Sequence, residues 1–286
     1  MSDADVIRST LSDLLERSAE EAILAPGALI ALRLFFHQQE VYKVLLSDRE
    51  YYAAGHFPDL EVHVAPFGEL TSAAERLSPD AVVASLVSWR GRVGDVASLC
   101  DDLRKRFRGG FRAGRTARGR PLICVDWCHA GAAGFPSAVG VRSDVLFGDV
   151  SKWLIPARAP DRLAFLLGTE DLSPSLRSCF EGLHASGGGR AAREARWVDG
   201  RTLEEVARSV EGTAADRKLL RSRHEANMKL ARTIAEANDH PAPASALLWF
   251  PGVGSSELEL GALPSPELAW DTGAGVRVLC QAESVG

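Results

Sequence analysis

Residues Pro121–Pro156 read PLICVDWCHAGAAGFPSAVGVRSDVLFGDVSKWLIP. The run Leu122-Ile123-Cys124-Val125, closed by Asp126, predicts a short buried strand, because an unbroken apolar run needs cover on both faces. A Gly- and Ala-rich loop carrying His129 follows. A second apolar run, Val145-Leu146-Phe147, then leads through Gly148 and Asp149 to Ser151-Lys152-Trp153. Two neighbouring strands of this kind deliver an acid and a lysine to one edge of one sheet. In open α/β sheets ligands bind at that carboxyl edge.

The pair Asp126 and Lys152 has the chemistry that pyridoxal 5'-phosphate (PLP) requires. A lysine holds the cofactor as a Schiff base, and a buried carboxylate keeps the ring nitrogen protonated so that the ring draws in electrons. The amine must also be accessible in its neutral form, which desolvation in a cleft promotes. The order Asp126-x-x-His129-Ala130, then Ser143-Asp144-x-x-x-x-x-x-x-Lys152-Trp153-Leu154, resembles the class V aminotransferase group of fold-type I PLP enzymes. That group holds cysteine desulfurases, C–S lyases, epimerases and aminotransferases. The resemblance runs from Val41 to Gly212 and returns near Arg277.

The resemblance implies an α/β three-layer sandwich, a mostly parallel sheet with helices on both faces, plus a small C-terminal α/β domain. The expected divisions are an N-terminal helix over 1–24, a large PLP-binding domain over 25–238 and a small domain over 239–286. The break Asp239-His240-Pro241-Ala242-Pro243 marks the last boundary. Periodicity predicts a helix from Asp3 to Leu24, capped by Ser2 or Asp3 and serving to pack or to clasp a partner subunit. Further helices are expected at Ala28–Gln39, Leu70–Leu77, Val93–Phe107, Leu203–Val210 and Thr213–Asn238. Strands are expected at Val41–Leu46, Glu61–Val64, Ala81–Leu86, Leu163–Leu167, Ala246–Phe250 and Gly275–Cys280.

The resemblance also assigns roles residue by residue. Lys152 carries the cofactor and removes the substrate α-proton. Asp126 faces the ring nitrogen, and His129 lies near the cofactor to assist proton transfer; a structural histidine at the strand end is the other reading. Gly27 opens a helix whose first amides would receive the phosphate, although no Ser or Thr stands beside it. Tyr51 would stack on the ring, with Tyr52 as alternate and a half-buried surface tyrosine as the plain reading. Ser88 would bond the ring hydroxyl, with Gly91 making the turn. Ser151 stands where histidine is common, and its hydroxyl would donate to the phosphate. Asp149 would repel a phosphate and is expected to point away. Thr202 would reach across a dimer to the other subunit's phosphate, or cap a helix. Arg277, in Gly275-Val276-Arg277-Val278, would grip a substrate carboxylate in bidentate fashion, or be an ordinary strand arginine.

Composition bounds the rest. The 286 residues carry a formal charge of -5, with 25% charged and 46% hydrophobic residues, an ordinary globular balance. It gives no reason to expect nucleic acid or an anionic membrane as partner. The most apolar stretch, Ala22 to Phe36, is interrupted by Pro26, Gly27 and Arg33 and is too short to span a bilayer. The polar start Met1-Ser2-Asp3-Ala4-Asp5 shows no signal peptide. Five dispersed cysteines (Cys100, Cys124, Cys128, Cys179, Cys280) do not make a disulfide framework, so a cytoplasmic location is expected. Cys124, Cys128 and His129 lack a second ligand pair at zinc spacing. The segment from Arg104 to Arg120 is strongly basic; a solvated mobile loop is preferred over an anion or nucleic-acid patch, since only Phe107 and Phe111 interleave it.

The expected function is a PLP-dependent enzyme acting on an amino acid or amine through an external aldimine and α-deprotonation. The classes are aminotransferase or C–S/β-elimination lyase, in specialised biosynthesis, working as a homodimer because the family builds each site from two subunits. The alternative is a degenerate PLP-fold binding or assembly subunit without catalysis, against which the retention of both Asp126 and Lys152 argues.

Overall fold

The computed structural model of the chain describes residues 2–50, 56–107, 119–154, 163–169, 172, 174, 177, 198, 200–211 and 217–282. Its centre is a sheet of β1 (Ile23–Ala25), β2 (Lys43–Ser47), β3 (Glu61–Ala65), β4 (Ala81–Ser85), β5 (Leu122–Asp126), β6 (Val145–Asp149) and β7 (Ala164–Gly168). The seven strands lie in the order β1-β7-β6-β5-β4-β2-β3. Strands β2 to β6 are mutually parallel, and β7 runs antiparallel to both β6 and β1. The fold is therefore the mostly parallel α/β sandwich that the motif implies.

Alternation along each strand splits the core into two layers. Leu45, Val82, Ile123, Val125 and Leu146 face one side, whereas Val44, Leu46, Val83, Leu122, Cys124 and Phe147 face the other. The first side is covered by α1 (Asp3–Leu15), α3 (Leu70–Leu77), α4 (Val96–Arg106), α6 (Gly200–Glu211) and α7 (Arg217–Ala237). The second is covered by α2 (Ala28–Gln38), through Ala31, Leu32, Phe35 and Phe36. A second sheet of β8 (Leu247–Pro251), β9 (Ala269–Asp271) and β10 (Gly275–Leu279) has the order β8-β10-β9 and is antiparallel throughout. Its buried residues, among them Leu248, Phe250, Val276 and Val278, join the first-side core. Among the described residues no helix is long and apolar enough to cross a membrane.

The N-terminal helix is shorter than its periodicity predicts. Ser2 and Asp5 form a capping box, but the helix ends at Leu15, where Glu16 takes the left-handed conformation at φ 52°. Side chains of α1 then hold the reversed chain: buried Arg8 donates from Nε to the Ala22 carbonyl at 3.0 Å, and the Ser12 hydroxyl accepts from Ala19 N at 2.8 Å. This frees Ile23–Ala25 to pair with β7. The apolar face of α1 packs against α6 of the same chain, the packing role its periodicity predicts.

The two ends of the basic segment, Arg104 and Arg120, are fixed by ion pairs; residues 108–118, where the solvated loop is expected, lie outside the described residues. Asp144, 2% exposed, receives Arg104 Nη2 at 2.7 Å, Arg120 Nη2 at 2.6 Å, Arg120 Nη1 and the Ile123 amide at 2.8 Å. It ties the starts of β5 and β6 together at the amino edge. The Ser-Asp of the motif thus contributes a structural carboxylate, at the end of the sheet opposite the lysine.

Candidate active site

β5 and β6 are adjacent and parallel, with Asp126 opposite Phe147, so both strands end at the same edge. Asp126 is buried at 6% exposure and accepts from Cys128 N at 2.7 Å. On its other flank it is in register with Ser85 of β4. Glu50 reaches this end of β4, taking Ser85 N at 2.7 Å and the Ser85 hydroxyl. Composition alone did not single out Glu50; its signal was the acid immediately before Tyr51.

Beyond β6, the one-turn helix α5 (Ser151–Leu154) carries Lys152. The Asp149 carboxylate accepts from Lys152 N at 3.0 Å and so caps this turn. Gln281 Nε2 donates to the Lys152 carbonyl at 2.7 Å. The Lys152 ammonium is held below the ordinary lysine range, first by burial and then by Arg277, against opposing effects of Cys128, Asp149 and Asp126. Burial, with the neighbouring Asp126 charge second, pushes the Cys128 thiol well above its usual value and keeps it protonated beside the carboxylate.

His129, 5% exposed, is the hub. Its Nε2 lies 3.1 Å from Lys152 Nζ, and Arg277 Nη2 donates to the same nitrogen. A guanidinium always donates, so in this contact Nε2 is the acceptor. Trp153 meets the imidazole edge-on, with ring centroids 6.4 Å apart at 82°. The small residues of the loop are explained here. A Cβ on Gly131 would sit 2.2 Å from Trp153 Cβ and 2.9 Å from Phe135 Cζ. Only glycine lets the loop close over the turn that carries Lys152.

Arg277 arrives from the second sheet. It is half-buried at the centre of β10, opposite Trp249 of β8 and Trp270 of β9. Residues directly opposite share a face, so the face that meets His129 also presents two tryptophans. Arg277 Cζ lies 5.8 Å from the Trp270 ring centroid. Trp249 in turn packs edge-on against Trp89 at 4.7 Å, with Arg90 over both rings.

The remaining predicted residues are placed as follows. Gly27 is the N-cap of α2, which has no side-chain cap. Ala25 and Asp149 are both in register with Ala164, so α2 begins at the same edge as Lys152. Ser88 is fully buried just past β4, and its oxygen accepts from Arg90 N at 3.3 Å and Arg92 N at 3.1 Å. Gly91 does make the turn, at φ +75°; a Cβ there would lie 1.9 Å from the Leu247 carbonyl oxygen, where the two sheets meet. Thr202 is buried in the first turn of α6, which starts at Gly200, so it does not cap that helix. Tyr51, Tyr52 and Cys179 lie outside the described residues, as does the side chain of Ser151. The structure thus brings Asp126, His129, Lys152 and Arg277 to one edge, with Gly27 and Ser88 beside them.

No family model matches the sequence, and no curated protein matches it. Solved structures do match the fold. The alanine–glyoxylate aminotransferase of Nostoc sp. superposes with TM-score 0.69 at 14% identity over 98% of this chain and 81% of that one. The cysteine desulfurase of Thermococcus onnurineus NA1 gives 0.58 at 13% over 89% and 70%. The serine palmitoyltransferase of S. paucimobilis, with a bound PLP–myriocin aldimine, gives 0.57 at 13% over 90% and 65%. At such identities the likeness establishes the fold, which is that of fold-type I PLP enzymes.

Proposed function

We propose that the chain is a PLP-dependent enzyme that acts at the α-carbon of an amino acid, as an aminotransferase or a C–S/β-elimination lyase. The observation that carries this reading is the convergence of buried Asp126 and half-buried Lys152 at one strand edge, with His129 3.1 Å from the lysine nitrogen. The donor set fits the group. A buried carboxylate suits a protonated ring nitrogen, a desolvated amine suits an aldehyde carbon, and the uncapped start of α2 suits a phosphate. When bound, PLP supplies an electron sink for charge developing at the substrate α-carbon.

The chain's own residues do the rest. Asp126 holds the proton on the ring nitrogen. Lys152, desolvated and lowered in pKa, takes the proton from the α-carbon. His129 Nε2 accepts from the lysine nitrogen and so steers and relays that proton. Arg277 donates two parallel N–H groups to the substrate carboxylate. Substrate carboxylate and His129 compete for the same guanidinium, so binding draws Arg277 off the imidazole and leaves its lone pair to the lysine. The reading carries a homodimer with it, measurable by sedimentation.

The test is an absorption spectrum of the purified protein with PLP beside a Lys152→Ala variant. The expected result is a visible band in the wild type that borohydride abolishes while fixing the cofactor's mass on the Lys152 peptide. A wild type without the band, matching the variant, removes the enzyme reading and leaves that of a binding or assembly subunit.

A further inference from the structure

A cleft of about 430 Å³ opens at the amino edge of the central sheet, lined by Arg17, Arg104, Arg142, Ser143 and Thr169, with Glu16 also on its wall. It is remote from Lys152. Ser143 precedes the first residue of β6, whereas Lys152 follows the last, and Val145 is in register with Gly168 just before Thr169. A five-residue strand separates the two edges by roughly 16 Å.

Among the described residues the charges around this cleft do not balance. Arg104 and Arg120 share the single carboxylate of Asp144, which leaves one positive charge in excess. Glu16 is already engaged by Arg217. Arg142 keeps only a loose, exposed contact with Asp101 at 3.7 Å. Arg17 is half-buried, and among the described residues no carboxylate lies within ion-pair distance of it. Burial alone, with no acid to offset it, pushes its pKa down. At the cleft floor the Ser143 hydroxyl is buried and has no hydrogen-bond partner among the described residues. Buried polar groups are ordinarily satisfied, and Ser143 belongs to the cleft lining. Three guanidiniums and an unmet hydroxyl around one concavity are a donor set for a tetrahedral oxyanion of charge near minus two.

We propose that this cleft binds a phosphoryl group, from a phosphorylated small metabolite or from free phosphate, as a second ligand site separate from the Lys152 site. Arg17 and Arg142 grip the oxyanion from the rim, and Arg104 and Ser143 meet it from below. Because Asp144, one residue from Ser143, ties β5 to β6, an occupant here sits against the same two strands that end at Asp126 and Lys152.

The test is isothermal titration calorimetry of the full chain with inorganic phosphate and, separately, with methyl phosphate, each run with and without saturating PLP. With PLP saturating the Lys152 site we expect one equivalent per chain, weakened about tenfold or more by Arg17→Ala and by Arg142→Ala; without PLP, and in Lys152→Ala, this arginine-dependent equivalent persists beside any phosphate taken up at the start of α2. Tighter binding of methyl phosphate assigns the site to a phosphorylated metabolite; tighter binding of inorganic phosphate assigns it to the free ion. Should Arg17→Ala not fold, Arg17→Gln read by the same titration replaces it. Absence of binding up to about 10 mM, indifference to the arginine substitutions, or loss of binding once PLP is present overturns the proposal.

Discussion

Asp144→Ala probes whether the amino edge is held by a buried charge network. The carboxylate is 2% exposed and accepts from two guanidiniums and one backbone amide. Removing it leaves the side chains of Arg120 and Arg104, 8% and 22% exposed, without their counter-charge, and the buried Ile123 amide without an acceptor. Breaking a buried pair on one side costs roughly 3–5 kcal/mol, because the surviving charge stays desolvated. Water reaches Arg104 in part, so the low end applies, about 3 kcal/mol. For a chain of this size each kcal/mol moves the melting temperature by about 2–4 °C, so circular-dichroism melts should fall by about 6–12 °C. Asp144→Asn should fall nearly as far, since its amide turns donors towards the arginines. The PLP absorption band at low temperature should persist in both variants, because Asp144 lies at the far edge from Lys152. A melting temperature within about 2 °C of wild type would mean that the network is worth no more than a surface ion pair, and the reasoning would fail.

Three further outcomes follow from the site. Gly131→Ala should lose about 2 kcal/mol or more through overpacking against Trp153, and should loosen PLP because Trp153 adjoins Lys152; an unchanged urea midpoint and cofactor affinity would contradict the packing described. The folded pKa of Lys152 is depressed, so the unfolded chain binds the extra proton, and this residue's contribution to stability grows as pH rises towards the ordinary value of about 10.4. Lys152→Met should therefore show a smaller gain than wild type in urea stability over that alkaline window below the unfolded value, and parallel curves would refute the burial of the amine. Arg277→Lys should raise KM for carboxylate-bearing substrates about tenfold with a smaller effect on kcat, since lysine cannot offer the paired donors; amine substrates without a carboxylate should be unaffected, and an equal loss for both would exclude the carboxylate role.

Much of this was legible in the chain. The apolar runs before Asp126 and Lys152 are local and nearly uninterrupted, and a strand with both faces covered needs little more to specify it. Helix Leu70–Leu77 and strand Leu122–Asp126 fall where their patterns put them. The N-terminal helix was overrun because its apolar spacing continues past Leu15. The stop comes from Arg8 and Ser12 holding a chain that returns fourteen and seven residues later, which no local pattern encodes. Strand β9 was missed because Ala-Trp-Asp is too short to alternate and exists only by pairing with β10.

The sequence by itself determined that one strand edge carries a buried acid and a lysine, because two short apolar runs end in those residues and parallel neighbours must end together. The tertiary structure alone decided what surrounds them. It placed Arg277 on His129, put Trp249 and Trp270 on either side of that arginine, and spent the motif's Asp144 on the opposite edge. These are contacts across 148 residues for Arg277 with His129 and 24 for Arg120 with Asp144. They depend on strand register and on how two sheets meet, whereas periodicity reports only which face of an element is apolar.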